Sequence, residues 1–298
     1  MNEARSTLWS AMGFKDAPWR RDQRVWLAAV LVVGALLRAW YLVAILNAPD
    51  FTALRQDLDV QDYHARAIVT GDWDVRDGVT DPEIRTTPYY RPPGYVYYLA
   101  VIYFFSGCSY LAPRLVNMTT GLVTVLLMYR LAQRVFGRGV GVVTAFFMAT
   151  YWAFIYYEGE VNDPVLFVFL VPCMMLLLLH WAHSMTPGRA WAVGLLTGCY
   201  ALMRPNITLF VPFMALWMFW VASRRSARDR VIPSWCALVL TTLAVIVPVT
   251  ARNYAASGEF VPISTYFGEN LLIGNSEYAD GYTSWTPYLQ ELEGTGQF

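Results

Sequence analysis

Acidic and arginine side chains gather in this chain in a pattern suited to group transfer at a phosphate. Between residues 47 and 112 stand Asp50, Asp57, Asp59, Asp62, Asp72, Asp74, Asp77, Asp81 and Glu83. The stretch Asp57-Leu-Asp-Val-Gln-Asp-Tyr-His-Ala-Arg-Ala has helical character, and Asp59, Asp62, Tyr63 and Arg66 fall on one face of that helix. A second acidic cluster is Glu158-Gly-Glu160-Val-Asn-Asp163-Pro. There Pro164 can open a helix, with Asp163 as its N-cap. Arg91 lies in Tyr89-Tyr-Arg-Pro-Pro-Gly, Arg204 in Met203-Arg-Pro-Asn, and Arg252 in Ala251-Arg-Asn. A carboxylate can take the proton of an attacking hydroxyl. A guanidinium fork gives paired, charge-assisted hydrogen bonds to phosphate. Acids and arginines at one level therefore suit a phosphorylated lipid and a hydroxyl nucleophile. Each feature also has a plainer use: solvated acidic surface, helix cap, or a snorkelling anchor at a membrane helix end.

The elements that must position these residues are membrane helices. Of 298 residues, 56% are hydrophobic and only 15% charged, against about 25% charged in soluble domains. This excludes a disordered or nucleic-acid-binding chain. Apolar runs cover residues 25–46, 94–106, 115–136, 140–157, 164–182, 189–203, 207–222 and 232–250. The first is too long for a signal peptide and lacks a cleavage site. The run 94–106 would reach only about 20 Å as a helix, short of a bilayer core of about 30 Å.

Charge decides whether 94–106 crosses. If it does not, the cytoplasmic segments carry 12 of the 22 basic residues and four acids, and the outer segments carry 18 acids and eight arginines. If it did cross, the cluster from Arg224 to Arg230 would face out, against the positive-inside tendency. The sequence therefore predicts an all-α polytopic bundle of seven spans with its N-terminus in the cytoplasm. Run 94–106 becomes an interfacial helix in the first outer loop, 47–112. Residues 1–24 form a cytoplasmic segment, 25–250 the membrane module, and 251–298 a polar outer tail that reads as the start of a further element. The formal net charge of +0 thus hides a basic inside and an acidic outside. Only Arg38 and Arg130 fall within spans, and no acid does. His180 and His183 lack a third ligand nearby, so no metal site is expected from spacing.

The ordered blocks resemble those of a known family. They are Tyr-Arg91-Pro-Pro-Gly-Tyr, Arg114-Leu-Val-Asn with Gly121, Ala132-Gln-Arg-Val-Phe-Gly137, the turn ending in Asp163-Pro, Met203-Arg-Pro-Asn, Arg252-Asn, Gly258-Glu-Phe-Val-Pro-Ile-Ser, and Asn270-Leu-Leu-Ile-Gly-Asn275. Together they resemble the GT-C type membrane glycosyltransferases, near the bacterial relatives of protein O-mannosyltransferases and the lipid A aminoarabinose transferase. The resemblance implies a polyprenyl-phosphate-linked sugar donor and an inverting transfer to a lipid, glycan or protein acceptor outside the cytoplasm, in the plasma membrane. It implies Asp59, four residues before Tyr63, as general base, with Asp57 and Asp62 as rivals. It implies Asp163 as the acid of the second outer loop, with Glu160 as its neighbour. Arg91 would hold the leaving phosphate, and Arg204 and Arg252 fit beside it. Metal-free and metal-dependent relatives share these acids, so a divalent metal stays open. The family's aminoarabinose branch carries an acid after the first Asp, where this chain has Val60. The family continues past the point where this chain stops, at Phe298, which reads as a truncation. A transporter, which would need intramembrane ionisable groups, and a non-catalytic membrane assembly protein are the competing classes.

Overall fold

The computed structural model describes residues 23–54, 57–74, 89–277, 279 and 281. The expected cytoplasmic segment up to residue 22, the end of the outer tail, and Asp77, Asp81 and Glu83 lie outside the described residues. Among the described residues there are eleven α-helices and no strand. The chain is an all-α, multi-pass membrane bundle.

Five helices are long and apolar enough to cross a membrane. They are α1 (Gln23–Ile45), α4 (Leu111–Phe136), α7 (Pro164–Ser184), α9 (Val211–Arg224, led by a 3-10 helix at Pro205–Phe210) and α10 (Val231–Ser257). A sixth crossing is α5 (Arg138–Thr150) followed by α6 (Trp152–Gly159), bent by 48° at the break. The break sits at Tyr151, whose extended backbone (φ −67°, ψ 116°) interrupts the helical hydrogen-bond ladder. The seventh expected span, 189–203, is α8 (Pro187–Ala201). At 15 residues it reaches about 22 Å, short of a full crossing. Its end gives way to the turn at 202–204, which carries Arg204. It packs more extensively on α10 than any other pair of elements does, and Thr242 of α10 donates to the Gly194 carbonyl at 3.1 Å. That contact accounts for the small residues of α8.

The remaining helices, α2 (Asp57–Thr70), α3 (Gly94–Ser106) and α11 (Tyr266–Asn275), are too short to cross. The run 94–106 forms a 13-residue helix. Its Tyr95, Leu99 and Tyr103 are buried with Ala65 of α2 and Val165, Leu166 and Leu170 of α7. Its other side exposes Phe104 and Phe105. Gly94 at the start of α3 bonds the Leu202 carbonyl after α8, Arg252 near the end of α10 bonds Tyr97 of α3, and Asp163 before α7 lines the same cavity, so these ends meet at one end of the bundle.

One expectation changes. The sequence reads Glu158 as part of the outer turn that ends in Asp163-Pro, but α6 continues to Gly159 because the helix restarts after Tyr151. Glu158 is therefore an acid inside the bent span, 3% exposed, facing Arg38 at 2%. Arg38 Nε and Nη2 donate to Glu158 Oε2 and Oε1 at 2.5 and 2.6 Å. Arg38 Nη1 donates to the carbonyls of Gly34 and Ala149 at 3.1 Å each. The pair ties α1 to both halves of the bent span.

Candidate active site

A cavity of about 180 Å³ opens at the end of the bundle where the acids and arginines meet. Asp57, Arg91, Asp163, Arg204 and Arg252 all line it. They come from five separate places in the chain, and each is brought in by an identifiable contact.

Arg91 is delivered by two anchors. The Thr265 and Tyr266 N–H groups donate to the Tyr89 and Tyr90 carbonyls at 3.2 and 3.1 Å. This sets Arg91 against the rings of Tyr90 and Tyr266, with its guanidinium carbon 5.8 and 5.4 Å from their centroids. Three residues on, Gly94 donates its N–H to the Leu202 carbonyl at 2.7 Å. A Cβ on Gly94 would lie 2.6 Å from Met203 Cγ, so only glycine permits this approach. The Pro-Pro-Gly block and the Met203-Arg204 block are therefore two sides of one joint.

At rest each of two arginines faces a carboxylate. Arg91 Nη1 is 2.6 Å from Asp57 Oδ1, and Arg204 Nη2 is 3.3 Å from Asp163 Oδ1. Arg204 is half exposed and lies over the Phe167 ring. Arg252 donates to the Tyr97 hydroxyl at 3.1 Å and to Asn253 Oδ1 at 2.7 Å. Asn253 is fully buried and donates to the carbonyls of Val261 and Ile263, so the end of α10 is fixed.

Asp163 begins α7. Its side chain makes no capping bond; it lines the cavity and faces Arg204 instead. Burial pushes its carboxyl above the usual carboxylate range. Arg204 pulls it back down, and the charge of Asp57 adds to the upward push. The turn that holds it is clamped from α4: Arg114 Nε donates to the Gly159 carbonyl at 2.8 Å, and Asn117 Nδ2 to the Glu160 carbonyl at 3.2 Å. Glu160 itself does not line the cavity.

The other first-loop acids lie elsewhere. Asp62 is fully buried. It accepts hydrogen bonds from the Tyr103 hydroxyl, from Arg66 Nε at 2.9 Å and from the Tyr110 hydroxyl at 3.3 Å. It brackets α2 to α3 and to the start of α4. Burial and the Asp62 carboxylate push the Tyr103 phenol up, so Tyr103 remains a donor there. Asp59 is half-buried and is not among the cavity residues. The face of α2 that reaches the cavity is Asp57, Val60, Gln61, His64 and Ile68, not the Asp59–Asp62–Arg66 face. Gln61, His64, Trp73 and Tyr266 also line the cavity, and no motif in the sequence marks them as site residues. The i, i+4, i+7 spacing from Asp57 was the available signal for the first two.

Among the described residues, no three His, Cys, Asp or Glu side chains are grouped to hold a metal ion. The arrangement brings two carboxylates and three guanidinium groups to one cavity.

A family model described as dolichyl-phosphate-mannose-protein mannosyltransferase matches residues 90–251. The matched stretch holds Arg91, Asp163 and Arg204, stops one residue before Arg252, and begins after α2. No curated protein and no solved structure matches the chain.

Proposed function

The chain belongs to the dolichyl-phosphate-mannose-protein mannosyltransferase family, and from that premise we propose that this cavity transfers a sugar from a polyprenyl-phosphate donor. The observation that carries the proposal is the meeting of three arginines with Asp57 and Asp163 at one end of the bundle.

Arg91, Arg204 and Arg252 receive the donor phosphate. As it binds, it competes with Asp57 for Arg91 and with Asp163 for Arg204, so binding frees the two carboxylates. Asp57 then takes the proton of the acceptor hydroxyl, whose oxygen attacks the anomeric carbon. The bond from that carbon to the phosphate oxygen breaks, and polyprenyl phosphate leaves with the electron pair. Attack opposite the leaving group inverts the anomeric centre. The arginines favour the step because negative charge grows on the departing phosphate. Asp163 is the second carboxylate, and Asp59 is the alternative base.

The acceptor is a lipid, glycan or protein hydroxyl on the extracytoplasmic side of the plasma membrane, with the chain's N-terminus in the cytoplasm. The charge asymmetry supports this orientation. The buried Arg38–Glu158 pair does not favour transport, since both groups are fully matched to each other.

The test uses membranes containing the protein and radiolabelled polyprenyl-phosphate sugars. Label should move from the donor to membrane acceptors, and Arg91→Gln should raise the donor KM by about tenfold or more, the scale of one lost charged contact. Absence of transfer with every donor, together with substrate flux in reconstituted vesicles, would overturn the proposal.

A further inference from the structure

The cavity is longer than a phosphate needs. Asp57, Gln61, His64 and Ile68 recur along α2 at helical spacing, and all line it. From Asp57 to Ile68 this stripe runs roughly 16 Å along the helix axis. The arginine end lies at Asp57, which is held by Arg91.

Away from that end, Trp73 joins the lining beside His64. After α2 the chain turns at Gly71 (φ 76°), and the Tyr63 hydroxyl donates to the Trp73 carbonyl at 2.5 Å. This returns Trp73 to the helix, with its ring centroid 6.3 Å from that of His64. Trp73 remains half exposed, so part of its surface is open to a ligand.

The two ends differ in chemistry. One is cationic. The other presents an indole, an imidazole and a carboxamide. An indole face packs on the C–H face of a sugar ring, and an amide and an imidazole offer both donors and acceptors to hydroxyls. A hexose joined through its anomeric oxygen to a phosphate at Arg91 extends one to two helical turns along α2, about 5–11 Å. That places its ring at Gln61 and His64 and leaves its anomeric carbon beside Asp57.

We propose that Gln61, His64 and Trp73 form the subsite that receives the donor's sugar ring. The inference rests on the lipid-phosphate-sugar reading above. It concerns residues that lie before the family-matched stretch.

The test is binding of two kinds of probe to the purified full chain: bare polyprenyl phosphate, and mannose- or glucose-bearing polyprenyl phosphate. Wild type should bind at least one sugar-bearing lipid more tightly than the bare one. Trp73→Ala should weaken the sugar-bearing lipid by about tenfold, the scale of a lost aromatic contact, and leave the bare lipid unchanged. Trp73→Phe should restore most of the loss. His64→Ala should act in the same direction. Equal loss for both lipids, or no loss for the sugar-bearing lipid, would overturn the subsite. Wild-type binding of bare lipid with no gain from the sugar would overturn the subsite alone. Binding of neither lipid would overturn the donor reading itself.

Discussion

The backbone N–H of Gly94 donates to the Leu202 carbonyl at 2.7 Å, which locks the start of α3 to the end of α8. Arg91 and Arg204 lie on the two sides of this joint and both reach the cavity.

Gly94→Ala should open the joint, because the added Cβ would lie 2.6 Å from Met203 Cγ and 2.7 Å from the Leu202 carbonyl carbon. Overpacking of this kind costs about 1–3 kcal/mol. Donor KM should rise as the two arginines separate, and the melting temperature should fall. Initial-rate kinetics and a thermal melt on the same preparation measure both.

The Arg38–Glu158 pair gives a sharp stability contrast. Removing one partner strands a buried charge, a loss of roughly 3–5 kcal/mol. Removing both with apolar residues avoids that penalty. Arg38→Leu should therefore destabilise more than Arg38→Leu combined with Glu158→Leu. Gly121→Ala should also destabilise, since its Cβ would fall 2.0 Å from Glu158 Oε1. Thermal unfolding in detergent ranks the four proteins.

Asp62 is expected to act as a bracket. Asp62→Asn weakens the bonds to Tyr103, Tyr110 and Arg66, at a cost of about 1–3 kcal/mol. The melting temperature should drop while kcat per folded molecule holds. A collapse of kcat with an unchanged melt would instead place Asp62 in the chemistry.

The pH dependence should report Asp163. Its carboxyl sits above the usual carboxylate range because it is buried. A raised pKa favours the neutral form, so activity that needs the carboxylate is lost as pH falls through the raised value. Arg204→Gln removes the downward pull. The acidic limb of kcat/KM, which reports the free enzyme, should then move to higher pH. A limb that stays put or moves to lower pH would separate Asp163 from the rate.

Much of this site was legible in the sequence. Run lengths and charge separate 94–106 from the longer apolar runs, and α3 occupies those same residues. Arg91, Arg204 and Arg252 were marked by their places beside helix ends, and the bundle collects them. What the sequence hid is the facing of α2. Periodicity shows that Asp59, Asp62 and Arg66 share a face, and equally that Asp57, Gln61 and His64 share another. Only packing against α3 decides which turns inward. Asp62 meets Tyr103 and is buried, which swings Asp57 toward Arg91. The partner of Arg38 was hidden for a similar reason. Nothing local announces that a helix broken at Tyr151 will restart and carry Glu158 inward.

The most direct measurement compares Asp57→Asn with Asp59→Asn under saturating donor. Asp57→Asn should lower kcat by about 10²–10⁴-fold, the range for a lost general base. Its affinity for polyprenyl phosphate should be equal or tighter, since Arg91 is released from its partner. Asp59→Asn should keep most of its kcat. Full turnover in Asp57→Asn, with turnover abolished in a folded Asp59→Asn, would contradict the assignment of Asp57 as the base.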